Sequence, residues 1–154
     1  RQMCIRDRGT GMKNISVEGA NGGLHTNYEG KAQAALDALL KEGYDFAYIH
    51  LEAPDEMGHQ GSVEKKIQAI EYLDERVIKL VKEGLEKSGE DYRLLILPDH
   101  PTPIKVKTHT ANPVPYLLYD SRKTEGTGNC YSEEAGAHFE PVKGHELLKI
   151  LFEE

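Results

Sequence analysis

Between Ser62 and Leu85 apolar side chains recur at intervals of three and four: Ile67, Ile70, Leu73, Val77, Leu80, Val81 and Leu85. That spacing predicts one long amphipathic helix of about six turns, with Ser62 as its N-cap and Glu64 in its first turn. On either side lie two short apolar runs, YDFAYIHL (residues 44–51) and DYRLLILP (residues 91–98), which read as buried strands. Strands joined through a helix of that length need a crossover connection, and crossovers join parallel strands. The expected fold is therefore α/β, a mostly parallel sheet flanked by helices.

The remaining segments fit the same plan. NISVEG (residues 14–19) reads as a short strand entering the loop GANGG. No Lys-Ser/Thr follows those glycines as a phosphate-binding loop would require, so they read as a turn. EGKAQAALDALLKEG spaces Ala and Leu helically and ends on Gly43, a C-cap residue. PVPYLLYD (residues 113–120) reads as a third strand, entered through prolines. Residues 121–141 are irregular, and GHELLKILFEE closes with an apolar-faced helix.

Composition narrows the function classes. A net charge of −7 on 154 residues argues against a nucleic-acid or anionic-membrane surface, which needs clustered Lys and Arg. No apolar run approaches the ~20 residues of a membrane span, and the start lacks the apolar centre of a secretory leader. Only Cys4 and Cys130 are present, so a disulfide scaffold is not expected and a reducing cytoplasm is the default setting. The opening RQMCIRDR has no apolar period and resembles a translated sequencing adapter. Residues 1–8 are accordingly read as a non-native tail, and residues 9–154 as the native part of a protein whose N-terminal side is missing. Cys130 is then the sole native cysteine, and it has no assigned role.

In open α/β sheets ligands bind at the carboxyl ends of the strands. Three such places carry the chemistry. EAPDEMGH follows residues 44–51 and holds Asp55 and His59 four apart; PDHPTP follows the next strand and holds adjacent Asp99 and His100; KTHTANPVP precedes the third and holds His109. Alone, Asp55 and His59 would more often be a polar loop, and His109 an ordinary surface histidine. Together, two carboxylates and three imidazoles at one sheet edge suit Mn²⁺, Zn²⁺ or Fe²⁺ better than Ca²⁺, which prefers oxygen alone. Asp99 and His100 cannot easily aim at one small ion from an extended backbone, so two neighbouring ions are expected, an arrangement suited to phosphoryl transfer. His50, inside a strand, reads as core or as support for the ligands. His25, His138 and His145 have no acidic partner at ligand spacing and read as structural or exposed. Glu52 and Glu56 are open between solvated and supporting roles.

PDEMGHQG before a long helix, LPDHPTP, and THTANPVPYLLY resemble, in this order, the cofactor-independent phosphoglycerate mutases of the alkaline phosphatase superfamily. VEGANGGLHTNYEGKAQAAL is similar to their archaeal-type branch in particular. The resemblance runs from about Gly11 to the C-terminal helix. It implies that residues 9–154 are the C-terminal part of a metal-binding, alkaline-phosphatase-like domain, and that the parent is an isomerase that interconverts 2- and 3-phosphoglycerate through a phosphoserine. It implies two divalent ions, Mn²⁺ foremost with Zn²⁺ and Mg²⁺ as alternatives, and no organic cofactor. Asp55, His59 and His109 correspond to the ligands of one ion, and Asp99 and His100 to half the set of the other. The family's nucleophilic serine and inserted substrate-binding domain have no counterpart here, so no catalytic residue is assigned within the chain and it is expected to be inactive alone. Two other readings compete. One is a metal-dependent phosphatase or phosphotransferase of the same superfamily, such as a homoserine-kinase-like relative. The other is a non-catalytic metal-binding module, disfavoured because structural zinc sites lean on cysteine.

Overall fold

The computed structural model describes residues 11–123, 125–126 and 128–153. The tail expected at residues 1–8, with Cys4, lies outside the described residues. By its internal contacts the chain divides into two units. The first holds the described residues up to Glu56 together with residues 64–88; the second holds Met57–Val63 and Gly89 onward.

The first unit is helical. Helix α1 (Tyr28–Leu40) starts where Asn27 Oδ1 accepts the Gly30 N–H at 2.8 Å, with Glu29 in the first turn. Its buried face is Tyr28, Ala32, Ala35 and Ala38, small residues at helical spacing behind one large ring. It ends at Leu40 with Lys41 as its C-cap rather than Gly43; Gly43, two residues on, adopts φ 75°, and the Tyr44 N–H folds back onto Ala38 O at 3.1 Å. Helix α2 (Ala53–His59) is short. Helix α3 (Val63–Leu73) continues through a π-turn (Asp74–Ile78) into α4 (Lys79–Ser88).

That π-turn changes which residues face the core. The repeat in the sequence predicts a single stripe from Ile67 to Leu85. In the structure Val77, Val81 and Leu85 are buried, whereas Ile67 and Ile70 are each 52% exposed and Ala69 is buried instead. One extra residue in the turn advances the helix by about 100°, which moves the inward face from 67/70 to 69. Arg76, on the π-turn, fastens it to α1. Its Nε and Nη2 donate to the two carboxylate oxygens of Glu29 at 2.6 and 2.8 Å, and its guanidinium lies over the rings of Tyr28 and Tyr72. Further along, Gly84 lets α4 approach α1 closely: a Cβ there would stand 2.6 Å from Leu36 Cδ1.

The second unit contains strand β1 (Arg93–Ile96) paired antiparallel with β2 (Leu117–Asp120), with Arg93 opposite Asp120 and Ile96 opposite Leu117. A four-residue helix, α5 (Glu133–Gly136), follows. A 3₁₀ turn (Gly144–Glu146) then leads into α6 (Leu147–Phe152), the expected closing helix. Buried Asp120 accepts from Arg93 Nε at 2.9 Å and from Arg122 Nε and Nη2 at 3.0 Å. Arg93 Nη1 donates onward to Leu151 O at 3.0 Å, tying α6 to β1.

The sheet departs from expectation. Among the described residues it has two strands, antiparallel, not a parallel array. Residues 44–51 and 14–19 form no strand, and Tyr44 and Tyr48 are exposed. An apolar run signals extended backbone, but a strand needs a ladder partner, and β1 takes its partner from residues 117–120. The connection from β1 to β2 contains no helix, so nothing in it imposes a crossover. No helix among the described residues is long and apolar enough to cross a membrane.

Two stability measurements test this packing. Tyr28 is fully buried, and Tyr28→Ala should cost about 3–5 kcal/mol in urea unfolding, as truncations of large buried rings do. A loss below about 1 kcal/mol would show that the ring is not the centre of the first unit. The hydrogen bonds from Arg122, with Arg93 adding to them, hold the Asp120 carboxyl well below the usual carboxylate range. A depressed folded value stabilises fully above the unfolded value of about 4 and is lost as pH falls toward the folded one. Between about pH 5 and pH 2 the wild type should therefore lose more stability than Asp120→Asn; parallel curves would contradict this.

Candidate metal centre

Two residues four apart on a helix share one face. Helix α2 is unbroken from Ala53 to His59, so Asp55 in its first turn and His59 in its last are held together by the backbone alone. Both are half-buried, while His109, from the loop before β2, is exposed. Asp55, His59 and His109 each present a ligand atom, and these atoms lie within 4.8 Å of one another. His59 Nε2 and His109 Nε2 are 3.1 Å apart.

The protonation of His59 follows from its other nitrogen. His59 Nδ1 lies 3.0 Å from Lys107 O. A carbonyl only accepts, so Nδ1 carries the proton and Nε2 keeps its lone pair. A neutral His109 with its proton on Nε2 would donate across the 3.1 Å gap, and with that proton on Nδ1 both Nε2 lone pairs would be open to a cation. Two imidazole nitrogens and a carboxylate oxygen make a donor set of the kind that divalent transition metals take.

The loop that carries His109 is held by its own backbone. Val106 and Lys107 N–H both donate to Pro103 O, at 3.0 and 2.9 Å, and Thr110 N–H donates to Pro101 O at 3.1 Å. The turn closes on Lys107 at φ 57°. After α2, Gly61 N–H bonds Gly58 O, Ser62 N–H bonds Met57 O, and Gly61 itself sits at φ 70°.

Asp99 and His100 follow β1 in a bend rather than in extended backbone. The bend brings Asp99 Oδ2 to 3.3 Å from His100 Nε2, so the divergence expected of an extended pair does not occur. The His100 ring stacks on His109, centroids 3.6 Å apart and planes at 29°, and Nδ1 lies 3.4 Å from the hydroxyl of buried Thr102. The three imidazoles named from the sequence are thus gathered, with Asp99 beside them. The group of three within 4.8 Å includes neither Asp99 nor His100.

His50 is half-buried in the first unit rather than inside a strand. Its Nε2 is 3.5 Å from Glu52 Oε1, its Nδ1 lies 3.3 Å from the Tyr48 hydroxyl, and its carbonyl accepts from Lys31 Nζ at 2.9 Å. Burial lowers the Lys31 pKa, and the Glu52 charge opposes that shift. Glu52 lies against Gly22, whose missing Cβ leaves room for the carboxylate, so the glycine loop acts as a turn around it. Glu56, His25, His138 and His145 are exposed. Sequence reasoning overlooked Lys107, because its contribution is a carbonyl. The available signal was positional: Lys107 stands two residues before His109, as Gly61 stands two after His59.

Comparison with known proteins agrees with this chemistry. Residues 6–154 match the family described as the metalloenzyme superfamily. The chain belongs to that superfamily. It is 51% identical to a probable 2,3-bisphosphoglycerate-independent phosphoglycerate mutase of Geobacter sulfurreducens, over 93% of this chain and 36% of the relative. It is 46% identical to the 2,3-bisphosphoglycerate-independent phosphoglycerate mutase of Methanosarcina mazei, over 92% of this chain and 36% of the relative. The chain thus spans about a third of the length of these curated relatives. Among solved structures, the PH0037 protein from Pyrococcus horikoshii is similar, with a TM-score of 0.79 and 27% identity over 94% of this chain and 43% of that one. The metalloenzyme assignment thus rests on the family match, and the mutase resemblance of the three motifs on the identity to these relatives.

Proposed function

We propose that this chain is the C-terminal, metal-holding part of a cofactor-independent phosphoglycerate mutase, an isomerase of glycolysis and gluconeogenesis working in the cytoplasm. The observation that carries this reading is the meeting of Asp55, His59 and His109 in a chain with mutase relatives at 43–51% identity. Asp55, His59 and His109 hold one divalent ion; Asp99 and His100 supply half the ligands of a second. Mn²⁺ is the proposed metal, with Zn²⁺ and Mg²⁺ as alternatives. When bound, such ions activate a hydroxyl nucleophile and draw charge from phosphoryl oxygens.

The chain's own residues do the holding. Lys107 O orients His59, the His100 ring supports His109 by stacking, and α2 fixes the spacing of Asp55 to His59. The serine that carries the phosphoryl group and the domain that retains glycerate belong to other parts of the protein, so this chain alone should not convert phosphoglycerate. In the whole protein we place residues 44–51 and β1 in a mostly parallel, alkaline-phosphatase-like sheet. The long helix between them and the match to the metalloenzyme superfamily support that placement.

Calorimetric titration with Mn²⁺ tests the site. His59→Ala and His109→Ala should each weaken binding by about tenfold or more, while His138→Ala should leave it unchanged. Equal affinity in all three variants would remove the metal centre. Grafting the chain onto the Geobacter sulfurreducens relative in place of the matching segment tests the activity. The chimera should interconvert 2- and 3-phosphoglycerate and lose this on His59→Ala; a folded, metal-loaded and inactive chimera would exclude the mutase reading.

A further inference from the structure

We propose that Lys107 positions His59 through its backbone: a left-handed residue at 107 presses its carbonyl onto His59 Nδ1–H and thereby commits Nε2 to the metal. This rests on the metal-centre reading above and adds a positioning residue to it. Lys107 is the one non-glycine residue with positive φ among those described, at 57°. An L-residue is held in that region only when its surroundings demand it. The demand is visible. Lys107 N–H closes onto Pro103 O at 2.9 Å, which ends the turn, and the left-handed step then delivers Lys107 O to 3.0 Å from His59 Nδ1.

The arrangement has a counterpart on the α2 side. Gly61 also has positive φ, and a Cβ at that position would lie 2.4 Å from Lys107 Cε and 3.4 Å from Cδ. The absence of a side chain at 61 is therefore what lets the stem of Lys107 lie across the end of the α2 loop. Two left-handed residues, each two positions from a metal-holding histidine, fit into each other. The lysine charge has no part in the contact; the functional atom is O, and the side chain only packs.

A backbone acceptor of this kind fixes the tautomer before any ion arrives. His59 with its proton on Nδ1 has Nε2 ready to bind, whereas the opposite tautomer would have to lose or move a proton first. The proposal is thus about the metal-free protein, and it can be read without loading the site.

The test is the tautomer of His59 in the full metal-free chain, by long-range ¹H–¹⁵N correlation at about pH 8.5, where a free imidazole is neutral. Its signals are assigned by their loss in His59→Gln. Wild type should show protonated Nδ1. Lys107→Gly keeps the carbonyl and accepts positive φ, so it should retain that tautomer and a wild-type Mn²⁺ affinity. Lys107→Val removes the same charge but resists positive φ, so it should mix the tautomers and weaken Mn²⁺ by about 10–100-fold. A wild-type His59 protonated on Nε2 overturns the proposal without recourse to any variant. So does a Lys107→Gly chain that loses affinity as fully as Lys107→Val, since that would give the role to the charge. If the tautomers follow this pattern and no variant binds Mn²⁺, the positioning holds and the metal-centre reading falls instead.

Discussion

The hydrogen bond from His59 Nδ1–H to Lys107 O is the contact around which the candidate site is arranged. It joins a short helix to a loop that follows it by almost fifty residues, and its acceptor is a backbone oxygen that no substitution at Lys107 removes directly. Once it is made, His59 Nε2 faces His109 Nε2 at 3.1 Å, and the carboxylate of Asp55 is brought along by the pitch of α2. Each remaining part serves the same geometry. Gly61 makes room, Pro103 O ends the turn, and His100 stacks behind His109. Close imidazole nitrogens are poorly matched to one another when both carry lone pairs, and a shared proton or a cation resolves that conflict. The structure thus holds together side chains whose closeness makes chemical sense as a ligand set.

The first unit rests on a different principle. Its core is a stripe of alanines on α1, with Gly84 opposite, so two helices meet with little between them beyond Tyr28 and the aliphatic residues of α4. Small residues gain little from burial individually. Arg76 adds what they lack: a guanidinium held by both oxygens of Glu29 and laid over two tyrosine rings. Its ion pair is half-exposed and contributes modestly, so the stacking and the fixed geometry matter more than the charge.

Helices and candidate ligands were legible in the sequence to different depths than the sheet. The α1 helix, the glycine turn just beyond it, the long helix and the closing helix all follow from local spacing and end residues, which act over a few positions. Asp55, His59 and His109, whose ligand atoms the structure brings within 4.8 Å of one another, stood out in the sequence because chemically specific residues recur at the boundaries of apolar runs. Strand pairing was not, since it depends on which distant segment supplies a partner. Residues 44–51 look apolar enough for a strand and form none, while β1 pairs with residues 117–120. The bend at Asp99 and His100, and the carbonyl of Lys107, are backbone properties that residue identity signals weakly. The exposure of Ile67 and Ile70 has a similar cause, because a π-turn leaves no composition signature in a continuous helix.

That π-turn makes residues 63–88 sensitive to count rather than to identity. Many side chains at 74–78 would preserve it, but removing any one residue would turn everything before it by about a third of a revolution relative to α4. Ile67 and Ile70 would swing inward and Ala69 outward. The helix therefore acts as a ruler whose length, measured in whole residues, decides which of its side chains face inward.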